Sequence, residues 1–215
     1  MPLKVKICGL STPETVDAAV RHGAFALGFV FHGKSPRNVS IEQAAALMER
    51  VPMDRVCVGV FVDPDDEQIN AVRRRCRMGG IQFHGVETPE RLAQLKQGAA
   101  AGLQTIKAIP VKSANDVLAA RGYARIATMV LFDAKTPPGA KLPGGMGLRF
   151  DWTLIREHHN WIPFGVSGGL DAGNVHEAIQ VTRTDFVDVS SGVESAPGVK
   201  DVDKIAGFLQ AAHAR

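Results

Sequence analysis

Cysteine is scarce in this chain. There are three, at positions 8, 57 and 76 of 215 residues. An odd, widely spaced set argues against a disulfide scaffold and for a reducing compartment. No two lie at the short spacing of a zinc site. Long apolar runs are also missing, so no segment reads as a membrane span. Met1-Pro2-Leu3-Lys4-Val5-Lys6 passes at once into strand-like sequence, without an apolar signal region. A soluble, cytoplasmic protein is expected. An excess of one charge is lacking too: 25 Lys and Arg face 22 Asp and Glu, for a net charge of +3. That excludes the dense basic pattern of a nucleic-acid binder. The one basic cluster, Arg73-Arg74-Arg75-Cys76-Arg77, falls at the end of a predicted helix, where cations suit the helix dipole. No nucleotide fingerprint and no metal-ligand cluster is present. Lys107 is the nearest approach to a Schiff-base lysine, with Lys4 and Lys6 ahead of Cys8 in the first strand.

Enough apolar residues are present, 45%, to fill one large core. Short β-rich runs alternate with helical patterns from end to end. Strands are predicted near 4–8, 25–31, 55–62, 80–84, 103–108, 126–133, 161–166 and 185–189. Several are continuously apolar, such as Val56-Cys57-Val58-Gly59-Val60-Phe61-Val62, as strands covered on both faces are. Helix starts are readable between them. Asp63-Pro64-Asp65-Asp66-Glu67 offers an N-cap, a proline at the first helical position and acids in the first turn. Thr88-Pro89-Glu90 repeats the device, and Ser40-Ile41-Glu42-Gln43 reads as a capping box. Either Ser11 or Thr12 caps the first helix, and Asp171 and Asp201 are expected to cap the last two. The segment 109–124 carries the weakest helical pattern. Eight β/α units without a linker predict an α/β fold: a single-domain (β/α)8 TIM barrel over residues 1–215. An open doubly wound sheet is the competitor.

In such a barrel, function gathers at the C-terminal ends of the strands. Strand 1 ends at Lys6-Ile7-Cys8-Gly9. Cys8 is either a small core hydrophobe or, given a positive neighbour, a thiolate base. Strand 6 ends Phe132-Asp133, before a glycine- and proline-rich loop from Lys135 to Gly147 that reads as a lid. Asp133 is either a turn-former or a proton donor. The loop after strand 2 carries Arg37, which is an exposed turn residue or a bidentate grip on a carboxylate or phosphate. His84, ending strand 4, is structural or functional. Strands 7 and 8 run into Ser167-Gly168-Gly169 and Asp188-Val189-Ser190-Ser191-Gly192. Glycines there free backbone N–H groups, Ser190 and Ser191 add hydroxyls, and a short helix begun at Ser191-Gly192 would face an anion. These two loops are the usual phosphate site of a barrel. A thiol base facing a carboxylic acid suits proton transfer on a sugar phosphate.

Taken in order, Lys6-Ile7-Cys8-Gly9, Gly28-Phe29-Val30-Phe31, Ser35-Pro36-Arg37, Gly59-Val60-Phe61-Val62, Phe132-Asp133-Ala134-Lys135, Gly168-Gly169-Leu170 and Asp188-Val189-Ser190-Ser191-Gly192-Val193-Glu194 resemble the phosphoribosylanthranilate isomerase family, as does Pro197-Gly198-Val199-Lys200-Asp201. The resemblance spans about Lys4 to Phe208. It implies an Amadori rearrangement in tryptophan biosynthesis: N-(5-phosphoribosyl)anthranilate becomes 1-(2-carboxyphenylamino)-1-deoxyribulose 5-phosphate without cofactor or metal. It implies Cys8 as general base, Asp133 as general acid, Arg37 near the anthranilate carboxylate and Asp188 as a substrate contact, unless Asp188 is an internal barrel acid. His84, Gly168, Gly169, Ser190, Ser191 and Gly192 complete the expected substrate site. The acid must start protonated and the thiol ionised. Ordinary values of about 3.9 and 8.5 put them the other way round at neutral pH. Departures from the family pattern fall at His32-Gly33, Met146 and Val166-Ser167. The related isomerase of the histidine pathway carries an aspartate where Cys8 stands. A non-catalytic phosphosugar-binding barrel would not need both proton-transfer groups. A monomer is the default expectation, with a homodimer left open.

Overall fold

The apolar runs form strands because each has two faces to bury. One lies against helices and the other inside a barrel. The computed structural model describes residues 2–135, 147–156 and 162–214. Eight parallel strands close in chain order: β1 (Lys4–Cys8), β2 (Ala26–Val30), β3 (Val56–Phe61), β4 (Gly80–Phe83), β5 (Gln104–Val111), β6 (Met129–Ala134), β7 (Phe164–Val166) and β8 (Phe186–Val189). β1 pairs with both β2 and β8, so the sheet has no edge. The closed barrel, not the open sheet, is the fold. The helices are α1 (Pro13–Arg21), α2 (Ile41–Glu49), α3 (Asp66–Arg73), α4 (Pro89–Gln97), α5 (Ala114–Ala119), α6 (Thr153–Arg156), α7 (Val175–Thr182) and α8 (Val202–His213). A small hairpin, β9 (Glu194–Ala196) and β10 (Val199–Lys200), stands between β8 and α8.

Alternation along the strands sorts residues into two cores. Val5, Ile7, Leu27, Phe29, Ile81, Phe83 and Val187 face outward into one large cluster shared with the helices. Inside the barrel, Ala26, Val58, Ile106, Leu131 and Phe186 plug the lower end. Nearer the mouth, Cys8, Val30 and Val60 form a second apolar group. Lys6 and Asp188, register partners on β1 and β8, are buried on the inward-facing positions between these layers.

The caps were mostly legible. Thr12, Ser40, Thr88 and Asp201 each accept a backbone N–H of the first turn that follows. Three details differ. Asp65, not Asp63, caps α3; Asp63 has φ 46° and accepts from Val86 N, joining two loops at the mouth. Asp171 does not cap α7, which starts one turn later after Asn174. Its carboxylate accepts from Gly173 N and Arg149 instead. Ser40 caps α2, but Gln43 donates to the Ser11 carbonyl rather than closing the box. In the weak 109–124 segment, β5 continues to Val111. Only Ala114–Ala119 is α-helical, followed by a 3-10 turn at Ala120–Tyr123.

Two arginines of the basic cluster are taken up by helix ends. Arg77 donates to the carbonyls of Met48 and Val51 behind α2, and Arg73 to those of Ala99 and Ala101 behind α4. Among the described residues, no helix is long and apolar enough to cross a membrane. The predicted lid lies, apart from Lys135 and Gly147, outside the described residues, as does Met146.

Candidate active site

Cys8 ends β1 and Asp133 is the last residue but one of β6, and both line one cleft at the mouth of the barrel. Its lining mixes apolar side chains such as Val30 and Val60 with a few polar groups, as clefts for small organic ligands do. Arg37, His84, Gly168, Gly169, Asp188, Ser190 and Ser191 also line it, and Gly192 lines an adjoining cleft with Gly169 and Ser191. Residues from β1, β4, β6, β7 and β8 thus meet because parallel strands all end at the same face.

The acid side is a chain of hydrogen bonds. Asp133 Oδ1 accepts from Ala134 N at 2.8 Å, and Oδ2 lies 3.1 Å from His84 Nε2. His84 Nδ1 lies 3.0 Å from the Gln82 side-chain amide. The whole series faces inward, since Gln82 and His84 are two residues apart on one strand. Gly168 makes room for it. Its φ is 82°, and a Cβ there would stand 2.7 Å from Asp133 Oδ1.

On the base side, charge dominates. Lys6 Nζ sits 3.0 Å from each carboxylate oxygen of Asp188, and the lysine has no exposed surface. Burial favours its neutral amine, but the Asp188 carboxylate outweighs that and holds the ammonium above its ordinary range. Burial holds the Cys8 thiol above its ordinary range; Lys6 pulls it down, Asp188 adds to the rise, and Lys200 pulls it down more weakly.

The rim is built around Glu194. Arg37 Nε and Nη2 donate to its two oxygens at 2.7 and 2.8 Å, and Lys200 reaches the same carboxylate. Arg37 is therefore buried across the end of β1, and its bidentate geometry is met by a protein carboxylate. Ser190 is tied down as well: its hydroxyl donates to the Cys8 carbonyl at 3.1 Å and neighbours Lys200 Nζ at 3.2 Å. Ser191–Val193 forms a single 3-10 turn at the place where a short helix was expected. Gly192 is required there, because any Cβ would collide with the Leu170 carbonyl. Lys107, the lysine weighed for Schiff-base chemistry, pairs with Glu87 at 2.8 Å on the outer side of the sheet.

Residues 5–211 match the family described as N-(5'-phosphoribosyl)anthranilate (PRA) isomerase. The chain belongs to that family. It is 49% identical to the N-(5'-phosphoribosyl)anthranilate isomerase of Paracoccus denitrificans, over 100% of this chain and 99% of that protein. The Zymomonas mobilis enzyme of the same name is 47% identical over 98% of each. Among solved structures, the phosphoribosyl anthranilate isomerase of Thermotoga maritima superposes with a TM-score of 0.87 at 37% identity, covering 98% of both chains. A phosphoribosyl anthranilate isomerase in complex with reduced 1-(o-carboxyphenylamino)-1-deoxyribulose 5-phosphate gives a TM-score of 0.85 at 36% identity, with the same coverage.

Two further inward residues of the barrel, Lys6 and Gln82, bond to site groups. The signal was present: each stands two residues before a predicted site residue in a strand, Cys8 or His84, and so shares its face. Their partners were not visible, because Lys6 meets Asp188 across 182 positions of sequence.

Proposed function

We propose that this chain performs its family's isomerisation of N-(5'-phosphoribosyl)anthranilate to 1-(o-carboxyphenylamino)-1-deoxyribulose 5-phosphate in tryptophan biosynthesis, with Cys8 as general base and Asp133 as general acid. The observation that carries this is the single cleft lined by both groups, with the glycine and serine turns of β7 and β8 at its edge. Asp133 donates a proton to the furanose ring oxygen. The C1'–O bond breaks as the anilino nitrogen lone pair forms the Schiff base. Cys8, as thiolate, then removes the C2' proton, and the electron pair moves into the C1'–C2' bond to give the enolamine. Tautomerisation to the ketone completes the rearrangement. The substrate nitrogen is the electron sink, so no cofactor enters.

Backbone N–H groups of Gly168, Gly169, Ser191 and Gly192 bind the phosphate in this scheme. Arg37 supplies positive charge for the anthranilate carboxylate. His84, hydrogen-bonded to the acid, and Asp188, facing both the acid and Lys6, contact the sugar. Every group comes from one chain, so a monomer acting in the cytoplasm suffices. The test is the loss of phosphoribosylanthranilate fluorescence on adding purified protein, with formation of the carboxyphenylamino product followed chromatographically. Binding of the substrate without its loss would leave a phosphosugar-binding barrel and sink the proposal.

A further inference from the structure

Cys8 poses a physical problem that its own surroundings do not solve. Its sulfur is packed with Val30 and Val60, an apolar setting that disfavours a thiolate. Lys6 lies two residues earlier on the same face of β1. Across from both, Gly28 of β2 leaves a gap: a Cβ there would stand 3.1 Å from Cys8 Sγ and 3.1 Å from Lys6 Cε. The lysine chain therefore runs beside the sulfur, below it in the barrel. Its ammonium donates to both carboxylate oxygens of Asp188. A buried ion pair of this kind is weak evidence for stability, since an apolar pair of equal volume often does as well.

We infer that Lys6 is a positioning residue for the base: its ammonium, kept charged by Asp188, is the counter-charge that supports the Cys8 thiolate. This deepens the functional reading above and rests on Cys8 being the base. Other charged groups bearing on Cys8 are Asp188 on β8, which opposes the thiolate, and Lys200 on β10, which favours it. Lys200 is already bound to Glu194 and to Ser190, so its charge is largely answered there. His84 and Asp133 face Asp188 from β4 and β6. Lys6 is thus the cation that shares the inward face of β1 with Cys8.

The test reads the thiol itself. The full-length protein is alkylated with iodoacetamide across a pH series, and modification of the Cys8 peptide is followed by mass spectrometry. This separates it from Cys57, whose thiol burial pushes up to about 11, and from buried Cys76. Lys6→Met should move the alkylation midpoint upward by about one pH unit or more, the effect of losing an adjacent opposite charge. Lys6→Arg should keep it near the wild-type value. Because Lys6→Met strands Asp188, the Lys6→Met/Asp188→Asn double variant removes both charges together, and a smaller upward shift is expected. The rising limb of the pH profile of kcat should follow the same order. An unchanged midpoint in the single and double lysine variants would overturn the inference. If the wild-type protein lacked isomerase activity, the functional reading would fail while the midpoint shift still reported on Lys6.

Discussion

Two of the buried lysine–carboxylate pairs in this barrel, Lys107–Glu87 and Lys6–Asp188, differ in what else holds them. Glu87 and Lys107 are saturated. Glu87 accepts from the N–H groups of Asp63 and Gly85, Lys107 also donates to the Gly85 carbonyl, and the ammonium lies 5.9 Å from the Tyr123 ring centroid. Lys107 shares its outward face with Ile109 and Val111 of the helix-side core. That pair is a clasp for the β3 and β4 loops. Lys6 and Asp188 face inward and pair with each other, with Cys8 on one side and the His84–Asp133 pair on the other. A pair fully tied to backbone organises structure. A pair left facing reactive groups sets their charge.

The largest test of this contrast removes the groups that the inner pair serves. Cys8→Ala and Asp133→Asn should each lower kcat at least about 10^3-fold, within the range of acid–base catalysis, while circular dichroism stays native. Full turnover in either variant would remove the reason for distinguishing the two pairs. Next comes the outer clasp. Lys107→Met leaves Glu87 charged and buried, and should cost about 3–5 kcal/mol in a urea melt, with little change in the Cys8 alkylation midpoint. A shifted midpoint would blur the comparison. Arg37→Ala should raise KM more than it lowers kcat, by about ten-fold or more if it answers the substrate carboxylate. It should also lower stability, since Glu194 loses its bidentate partner.

The pH dependence of stability should come from the rim. Burial pushes the Glu194 carboxyl up, but Arg37 and Lys200 outweigh it and hold the group below its ordinary range. A carboxyl depressed in the folded state stabilises it at pH values above the ordinary carboxyl range, and that contribution is lost as pH falls through the folded value. Acid melts should therefore steepen below about pH 4.5, and less so in Glu194→Gln. An unaltered acid limb in that variant would assign the effect elsewhere. The smallest effect belongs to the surface. Arg74 pairs with Glu67 in the open, and Arg74→Ala should change stability by about 0.5 kcal/mol or less.

Much of the fold was readable because its signals are local. Continuous apolar runs mark strands with two covered faces, and Thr12, Ser40, Thr88 and Asp201 announce helix starts within three residues. The errors came where two candidates competed within a few residues. Asp63 and Asp65 look alike in sequence, but Val86 N holds the first in a loop and leaves the second to cap α3. Asp171 lost α7 to Asn174 in the same way, with Gly173 and Arg149 drawing its carboxylate into a turn.

By itself, then, the order of residues determined the eight strands, favoured one closed barrel over an open sheet, and put Cys8, Arg37, His84, Asp133 and Asp188 at strand ends or in the loops beyond them. Period-two alternation also determined that Lys6 shares a face with Cys8. Only tertiary structure decided what those groups meet. Barrel closure sets β1 against β8 and so makes Lys6 and Asp188 register partners. The hairpin after β8 brings Glu194 to Arg37 across 157 positions. Charge pairing at 3 Å depends on which strands are neighbours, and that is fixed by packing the whole sheet rather than by any short stretch of chain.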